Sequence, residues 1–268
     1  MGLFLNAKTQ LLRGQIDFLN ANLRVLFISG STYDPSGTQQ VLAAIPNSVR
    51  VADYPLANTD LVQGADPRDL LFVADDLLIP ELSGLPITQV IIYNQSVSEA
   101  LSQLIWERKA SYIPDGADLN VDWGSSIFNL AGKTGNDYYW SGKKAIFSGQ
   151  VDLDNDQLRV VLTDSGYIPN SIAHTKLGDI PPVNRVGTAE EVLSTRIDDG
   201  VFDADDVIYT SLAGDPIVTV VLVKYNTATP DDSELLAYFT EGMNLPFTPD
   251  GSLTGVIWNN SPQKILCL

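Results

Sequence analysis

Gly149-Gln150-Val151-Asp152, followed by Gln157-Leu158-Arg159-Val160, repeats an earlier stretch, Gly14-Gln15-Ile16-Asp17 followed by Asn22-Leu23-Arg24-Val25. The offset is 135 residues for both pieces (149 − 14 and 157 − 22). The same offset links Pro114-Asp115-Gly116 to Pro249-Asp250-Gly251, and Val121-x-Trp123 to Val256-x-Trp258. A repeat of this length predicts two tandem copies of one folded domain rather than a solenoid of short units.

The offset changes between these anchors, as expected if short loops gained and lost residues. Phe72-x-Ala74-Asp75-Asp76, for example, matches Phe202-x-Ala204-Asp205-Asp206. We therefore predict a first copy over residues 1–138 and a second copy over residues 139–268. Residues 131–139 are rich in Gly, Asn and Lys and have no strand pattern, which predicts a flexible linker that begins within the first copy.

The bulk composition describes a folded protein and excludes some partners. Hydrophobic residues make up 44% of the 268 residues and charged residues 18%, which is typical of globular domains. The net charge is −17, from 16 basic and 33 acidic residues. Because affinity for nucleic acid comes largely from Lys and Arg at phosphates, we expect no nucleic-acid partner. The same charge predicts repulsion from an anionic membrane.

Targeting signals and cysteine usage point to a protein that folds in a reducing compartment. No window reaches the roughly 18 consecutive apolar residues that a membrane span needs. The start of the chain lacks the basic region and apolar core of a secretory signal. The single cysteine, Cys267, rules out an intrachain disulfide, and its apolar surroundings predict a buried structural thiol. This composition fits assembly in a reducing cytoplasm.

The hydrophobic pattern predicts an all-β fold, with two homologous β-sandwich or barrel-like domains and little helix. Apolar, β-branched runs at residues 23–28 and 158–163 end in turn signals and indicate strands. Residues 98–109 look helical in isolation, but their counterpart, residues 234–240, has a strand pattern, so we predict a strand in both copies. Residues 5–19 carry a helical stripe, whereas their counterpart at residues 144–149 favours a strand. Each copy has about six to eight short strands.

A phosphate-binding loop is one candidate for chemistry. Residues 24–31, followed by Gly37-Thr38, resemble the strand and glycine-rich loop that open a nucleotide-binding domain. The second copy keeps Tyr167-x-Pro169 at this place but loses the glycine spacing. No Walker-type Gly-Lys-Ser/Thr is present either. The comparison of the copies therefore disfavours this hypothesis, and we expect no cofactor.

Acidic clusters and the single histidine are the remaining candidates. Asp152-x-Asp154-x-Asp156 could supply oxygens to Ca²⁺, but it lacks the glycine and glutamate of a helical calcium loop, and turn capping is the favoured interpretation. His174 lies in a polar loop and is expected to be exposed; no nucleophile-elbow motif accompanies it. One His and one Cys exclude a histidine-based zinc site. Paired carboxylates for a glycosidase reaction stay open, but no pair stands out.

A series of motifs runs through the second copy. They are Gly149-Gln150-Val151-Asp152, Leu158-Arg159-Val160-Val161-Leu162-Thr163-Asp164, Tyr167-x-Pro169-Asn170, His174 with Leu177-Gly178-Asp179-Ile180-Pro181, Val201-Phe202-Asp203-Ala204-Asp205-Asp206-Val207, Gly214-Asp215-Pro216, Leu235-Leu236-Ala237-Tyr238, Leu245-Pro246-x-Thr248-Pro249-Asp250-Gly251 and Ile257-Trp258. In this order they resemble a widespread group of small structural proteins of tailed bacteriophages. The first copy is a diverged match. The resemblance implies a β domain, here duplicated, that belongs to the virion.

We therefore expect a non-enzymatic virion protein, of the capsid decoration or cement type, that stabilises contacts between capsomers. Its partners would be the major capsid protein or other virion proteins, together with further copies of itself. One alternative is a tail, neck or baseplate component that recognises the host or binds carbohydrate through Tyr138, Tyr139 and Trp140, although packing between the domains is the favoured role for these residues. The other alternative is a β-sandwich hydrolase.

The two copies are expected to have different roles, with the interaction in the first and the stable β domain in the second. The first copy carries extra residues before Phe72, including Asp66 and Arg68, and a longer loop is where a new contact is easily added. Asp66 and Arg68 are therefore candidate interaction residues. The second copy keeps the family-like pattern almost intact, and we expect residues 141–268 to fold alone.

Overall fold

The structure is a computed structural model that describes residues 2–30, 39–132, 135–252, 254–258 and 264–268. The loop at residues 31–38, on which the phosphate-binding hypothesis depends, lies outside the described residues, as does Tyr33-x-Pro35. The described ranges contain twenty strands, two α-helices and five 3₁₀ turns.

The described residues of the first half form one helix and ten strands. They are β1 (Gly2–Leu3), α1 (Leu5–Leu12), β2 (Leu23–Ile28), β3 (Arg50–Pro55), β4 (Asp60–Gln63), β5 (Leu70–Val73), β6 (Leu77–Ile79), β7 (Ile87–Asn94), β8 (Gln103–Tyr112), β9 (Leu119–Val121) and β10 (Phe128–Leu130). Two short 3₁₀ turns, Leu42–Ala44 and Asn47–Val49, precede β3.

The second half repeats this series. It contains β11 (Asp137–Tyr138), α2 (Trp140–Phe147), β12 (Leu158–Thr163), β13 (Arg185–Glu191), β14 (Arg196–Asp198), β15 (Val201–Asp203), β16 (Val207–Tyr209), β17 (Thr219–Lys224), β18 (Glu234–Phe239), β19 (Thr254–Val256) and β20 (Leu266–Cys267). Its 3₁₀ turns are Leu177–Asp179, Pro182–Asn184 and Pro230–Asp232.

The two halves have the same topology. Each has a five-stranded antiparallel sheet, in the orders β1-β8-β7-β2-β3 and β11-β18-β17-β12-β13. Each also has a three-stranded sheet, β10-β5-β4 or β20-β15-β14, and a two-stranded ladder, β6-β9 or β16-β19. The predicted all-β fold of two homologous domains is confirmed; in the described part of the chain the sheets are open and no barrel closes.

The five-stranded sheet of the second half is buried on both faces. Side chains alternate across a strand, so Val160 and Leu162 of β12 point into the main core while Val161 points to the other face. There Val161 packs in a smaller cluster with Tyr167 and Ile180, which come from the long loop before β13. Burial on both faces explains why β12 is a nearly unbroken run of apolar residues.

The helices correct one sequence interpretation. The helical stripe predicted over residues 5–19 is helical only in α1, residues 5–12, and the predicted strand in both copies at β8 and β18 is confirmed. Residues 144–149, expected to favour a strand, form the last turn of α2 and the two residues after it. The expectation was wrong because Ala145, Ile146 and Phe147 form a short apolar run, and the periodicity of so few residues does not separate a buried strand from a buried helix.

The predicted linker is also shorter than expected. Asp137 and Tyr138 form β11, which pairs with Tyr238 and Ala237 of β18 at the edge of the second five-stranded sheet. Residues 137–138, predicted to lie in the linker, therefore belong to the second five-stranded sheet. A two-residue strand is too short to show alternation, and its hydrogen bonds depend on a partner far along the chain.

Candidate functional site

The motif that reveals the duplication lies where the two halves meet. Gly14 and Gly149 have φ angles of +62° and +66°, which favour glycine. A Cβ atom on Gly14 would lie 2.9 Å from the carbonyl oxygen of Val151, and one on Gly149 would lie 3.2 Å from the carbonyl oxygen of Gly14. Both glycines are thus required by the backbone conformation and by the close approach of the halves.

Two backbone hydrogen bonds flank this contact and are equivalent to each other. The amide of Phe18 donates to the carbonyl of Phe147 at 3.0 Å, and the amide of Leu153 donates to the carbonyl of Leu12 at 2.9 Å. At the repeat offset of 135 residues, Phe18 is equivalent to Leu153 and Leu12 is equivalent to Phe147. The same two positions thus contact each other in both directions, which is the arrangement of a two-fold, isologous interface.

Aromatic packing joins the halves into one core. Phe147 of α2 lies 5.6 Å from the Phe18 ring and 6.0 Å from the Phe128 ring of the first half. Phe18 in turn contacts Phe72 edge to face at 4.7 Å. The equivalent residues on the other side of the interface, Leu12, Leu153, Phe202 and Leu266, are buried as well. A single hydrophobic cluster therefore spans both halves, and the expected flexible connection between independent domains is wrong.

The repeated acidic residues cap turns, as predicted. Asp17 accepts a hydrogen bond from the amide of Leu19 at 2.8 Å, and Asp152 accepts the equivalent bond from Asp154 at 3.0 Å. The Asp156 carboxylate accepts from the amide of Asp152 at 2.8 Å. In the described ranges, no group of three or more His, Cys, Asp and Glu residues could hold a metal ion.

The repeated Asp-Asp and Trp residues are also structural. The indole Nε1 of Trp123 donates to the carbonyl of Asp75 at 3.0 Å, and Trp258 makes the same bond to Asp205 at 3.0 Å. The Trp258 amide donates to the Asp206 carboxylate at 2.9 Å, as the Trp123 amide does to Asp76. Each of these residues anchors the end of a two-stranded ladder in its own half.

Of the aromatic candidates at residues 138–140, Tyr138 and Tyr139 are packed inside the molecule, and Trp140 is half-buried. The Tyr138 hydroxyl donates to the carbonyl of Cys267 at 3.4 Å, and the Tyr139 hydroxyl lies 2.8 Å from that of Tyr167. Burial raises the pKa of both Tyr138 and Tyr139. Both tyrosines are buried, so neither ring is available to stack on a sugar, in keeping with the favoured packing role.

Asp66 and Arg68 lie in the loop between β4 and β5. Their side chains form an ion pair at 2.6 Å, and the hydrogen bonds from Arg68 lower the pKa of Asp66 to about 2. The loop reaches the second half, because the ammonium group of Lys143 donates to the Arg68 carbonyl at 2.9 Å. Trp140 Nε1 donates to the neighbouring carbonyl of Asp69 at 3.3 Å. The structure thus brings the loop and the start of α2 together at the interface.

A buried ion pair beside this contact was not predicted. Lys143 and Asp137 are 1% and 4% exposed, and their charged groups lie 3.3 Å apart. The equivalent positions in the first half are Lys8 and Gly2, so the acidic partner exists on one side only. No sequence signal marks this pair, because Asp137 falls in the stretch that composition assigns to a linker.

His174 is half-buried rather than exposed. Its Nδ1 accepts a hydrogen bond from the amide of Asn170 at 3.2 Å and lies 3.0 Å from the Tyr167 hydroxyl. The rings of His174 and Tyr167 stack with their centres 5.3 Å apart. Burial raises the pKa of Tyr167 to about 12. The expectation of exposure was wrong because Asn170 folds the loop back on itself by accepting from the amide of Ala173 at 3.0 Å.

A cavity of about 650 Å³ lies beside β11. Tyr138, Phe239 and Trp258 form part of its wall, and Glu241 and Lys264 contribute charged groups. Cys267 also lines it and is half-buried, so the predicted full burial of its thiol is wrong. The strand β20 that carries Cys267 pairs with Val201 and Phe202 of β15.

Neither α1 nor α2, the two α-helices of the described chain, is long and apolar enough to cross a membrane. Comparisons with models of protein families, with curated proteins and with solved structures found no match to the chain.

Proposed function

We propose that this protein is a non-enzymatic structural component of a tailed-phage virion, a capsid decoration or cement protein that joins neighbouring capsomers. The observation that carries the proposal is the two-fold arrangement of the halves. Because two equivalent backbone hydrogen bonds and a shared core hold them, each outer surface of the repeat is presented twice in a constant relative orientation. The sequence resemblance to phage structural proteins supports the same assignment.

Such a molecule is a rigid bivalent clip, in which each half presents one copy of the same binding surface. Once one half binds, the second half is held next to its own site at high effective concentration, provided that the geometry of the two sites matches. The continuous core means that no flexible connection has to be ordered on binding, which lowers the entropic cost. Equivalent sites on two adjoining capsomers that are related by a local two-fold axis match this geometry.

The charge of the chain indicates the partner surface. At a net charge of −17, the clip complements a basic surface on the major capsid protein or another virion protein. The polar residues that recur in both halves support a structural role. Asp17 and Asp152 cap turns, and Trp123 and Trp258 anchor strands, so the repeated side chains serve the scaffold.

Quantitative mass spectrometry of purified particles tests the proposal. A site repeated over a symmetric shell predicts on the order of hundreds of copies per particle. About a dozen copies or fewer would contradict the cement role and indicate a tail, neck or baseplate component. Absence from the particle would contradict virion membership altogether. Binding of labelled protein to intact host cells, compared with binding to capsids, distinguishes host recognition from capsid attachment.

A further inference from the structure

The contact between the halves is made from the same positions on both sides. Gly14 faces Gly149 across the centre, and the carbonyl of Gly14 is the closest neighbour of a Cβ placed on Gly149. The bonds from Phe18 to Phe147 and from Leu153 to Leu12 lie on either side. Further out, the turn after β14 meets α1, where the amide of Gly200 donates to Thr9 Oγ1 at 3.0 Å. On the other side the β4–β5 loop meets α2, where the ammonium group of Lys143 donates to the Arg68 carbonyl at 2.9 Å.

We infer that each half carries a self-complementary association face whose fitting partner is a second copy of the same repeat. In the intact chain this face is occupied by the other half. The chain is thus a covalently joined dimer, and a chain built from one repeat pairs with itself through the same face. This inference concerns the association of the repeat and does not depend on the proposed place in a virion.

The side chains at the interface allow two copies of the second half to pair with each other. The present contacts join Phe18 to Phe147 on one side and Leu153 to Leu12 on the other. Two second halves would place Leu153 opposite Phe147 on both sides. Each side of the interface would then hold one aromatic and one aliphatic residue. The total volume of these side chains would stay nearly constant, and cores tolerate such exchanges well.

The exchange keeps some polar contacts and removes others. Lys143 and Asp137 belong to the same half, so their ion pair does not depend on the partner's side chains. The hydrogen bond from Lys143 to the Arg68 carbonyl would be lost, because the second half has a short turn between β14 and β15 in place of the longer β4–β5 loop. The bond from Gly200 to Thr9 and the ion pair of Arg13 with Asp154 would also be lost, because Lys144 and Ser148 stand at the positions equivalent to Thr9 and Arg13. Both members of the Arg13–Asp154 pair are partly exposed, so its contribution is small.

A symmetrised chain tests the inference. In this chain, residues 135–268 are followed by residues 131–268, so that two second halves are joined by the natural connection. We expect a monomer by light scattering, a single cooperative melt, and an amide NMR spectrum with about half the number of resonances of the native protein, as two-fold symmetry requires. A chain that does not fold, or that melts in two separate transitions, would overturn the inference.

Cutting the native chain provides a second test that does not require a new fold. A protease site is inserted between Lys133 and Thr134, and the folded protein is cut. We expect the cut halves to stay together as one particle of 29.1 kDa, because the face alone holds them. Separation of the halves at micromolar concentration would overturn the inference.

Glycine variants of the cut protein locate the face. Gly149→Ala introduces a Cβ 3.2 Å from the Gly14 carbonyl, and we expect the halves to bind each other at least about tenfold more weakly. Gly116→Ala is the matched control, since Gly116 also has a positive φ, +88°, but nothing lies within 4 Å of its Cβ position. Equal association of the two variants would contradict the placement of the face at Gly149.

Discussion

The two halves share one topology but fill it with different side chains. In the first half Trp106 of β8 is paired with Leu3 of β1. In the second half the same two positions are occupied by Ala237 and Tyr138, which pair in the same way. The large aromatic side chain of this pair is thus on the long strand β8 in the first half and on the edge strand β11 in the second half. A sheet thus keeps its register through such divergence, provided that the volume across each cross-strand pair stays similar.

The repeated tryptophans show a second difference. Over Trp123 lies the guanidinium group of Arg108, 5.7 Å from the ring centre, whereas Trp258 is packed edge to face by Phe239 at 5.8 Å. Arg108 and Phe239 stand at equivalent positions, opposite Val90 and Val220. The indole needs a neighbour over its face, and either a cation or an aromatic edge satisfies that need.

The largest expected effect concerns independence of the halves. A chain starting at residue 141, expected from the sequence to fold alone, lacks β11 and exposes the face around Phe147. We therefore expect no cooperative thermal melt by circular dichroism. A chain starting at residue 135, which keeps β11, is the control and is expected to melt cooperatively as a dimer. A cooperative melt of monomeric 141–268 would show that the halves are independent after all.

The buried ion pair is the next difference to test. Lys143→Met keeps most of the side-chain volume but removes the ammonium partner of a buried carboxylate, which costs about 3 to 5 kcal/mol of unfolding free energy. Lys8→Met is the equivalent change in the first half, where Gly2 stands in place of Asp137, and should cost less than about 1 kcal/mol. Urea denaturation measures both. Equal losses would mean that the pair does not distinguish the halves.

The different placement of the aromatic ring in the two halves predicts that a second substitution restores the stability lost by a first. Ala237→Trp adds an indole next to Tyr138, and overpacking of this kind costs about 1 to 3 kcal/mol. Adding Tyr138→Leu recreates the pair found in the first half and should recover most of that loss. The double-mutant cycle from denaturation midpoints gives the coupling between the two sites. A coupling near zero would mean that the two positions do not share one packing volume.

The smallest effect is a dependence on pH. Arg68 lowers the pKa of Asp66 from an ordinary value of 3.8 to about 2, so the ion pair stabilises the fold above about pH 4 and loses its contribution as the pH falls towards 2. The pair is accessible to solvent, and the contribution is small. The stability difference between the native protein and Asp66→Asn should therefore shrink over this range. Asp205→Asn, which removes a carboxylate whose pKa is lowered by Ser194 and Arg196, tests the second half in the same way.

Much of the fold can be predicted from local pattern, and less of the candidate site can. Apolar runs such as β2 and β12 are continuous because both faces of their sheets are buried, so they could be recognised as strands. The comparison of copies also resolved β8. In contrast, β11 and the second helix were missed. Two residues and a short apolar run contain too little periodicity to define an element without its packing partner.

The duplication of one β domain is evident from the amino-acid sequence alone, since repeated glycines, turn residues and apolar strands are properties of neighbouring positions. The packing of the folded chain, in contrast, was needed to show that the two copies share one core, that Gly14 and Gly149 meet at its centre, and that Lys143 reaches the carbonyl of Arg68, 75 residues away. The physical reason is that burial and close approach depend on what lies opposite in space. Residues far apart in the chain create that environment, and no local pattern records it.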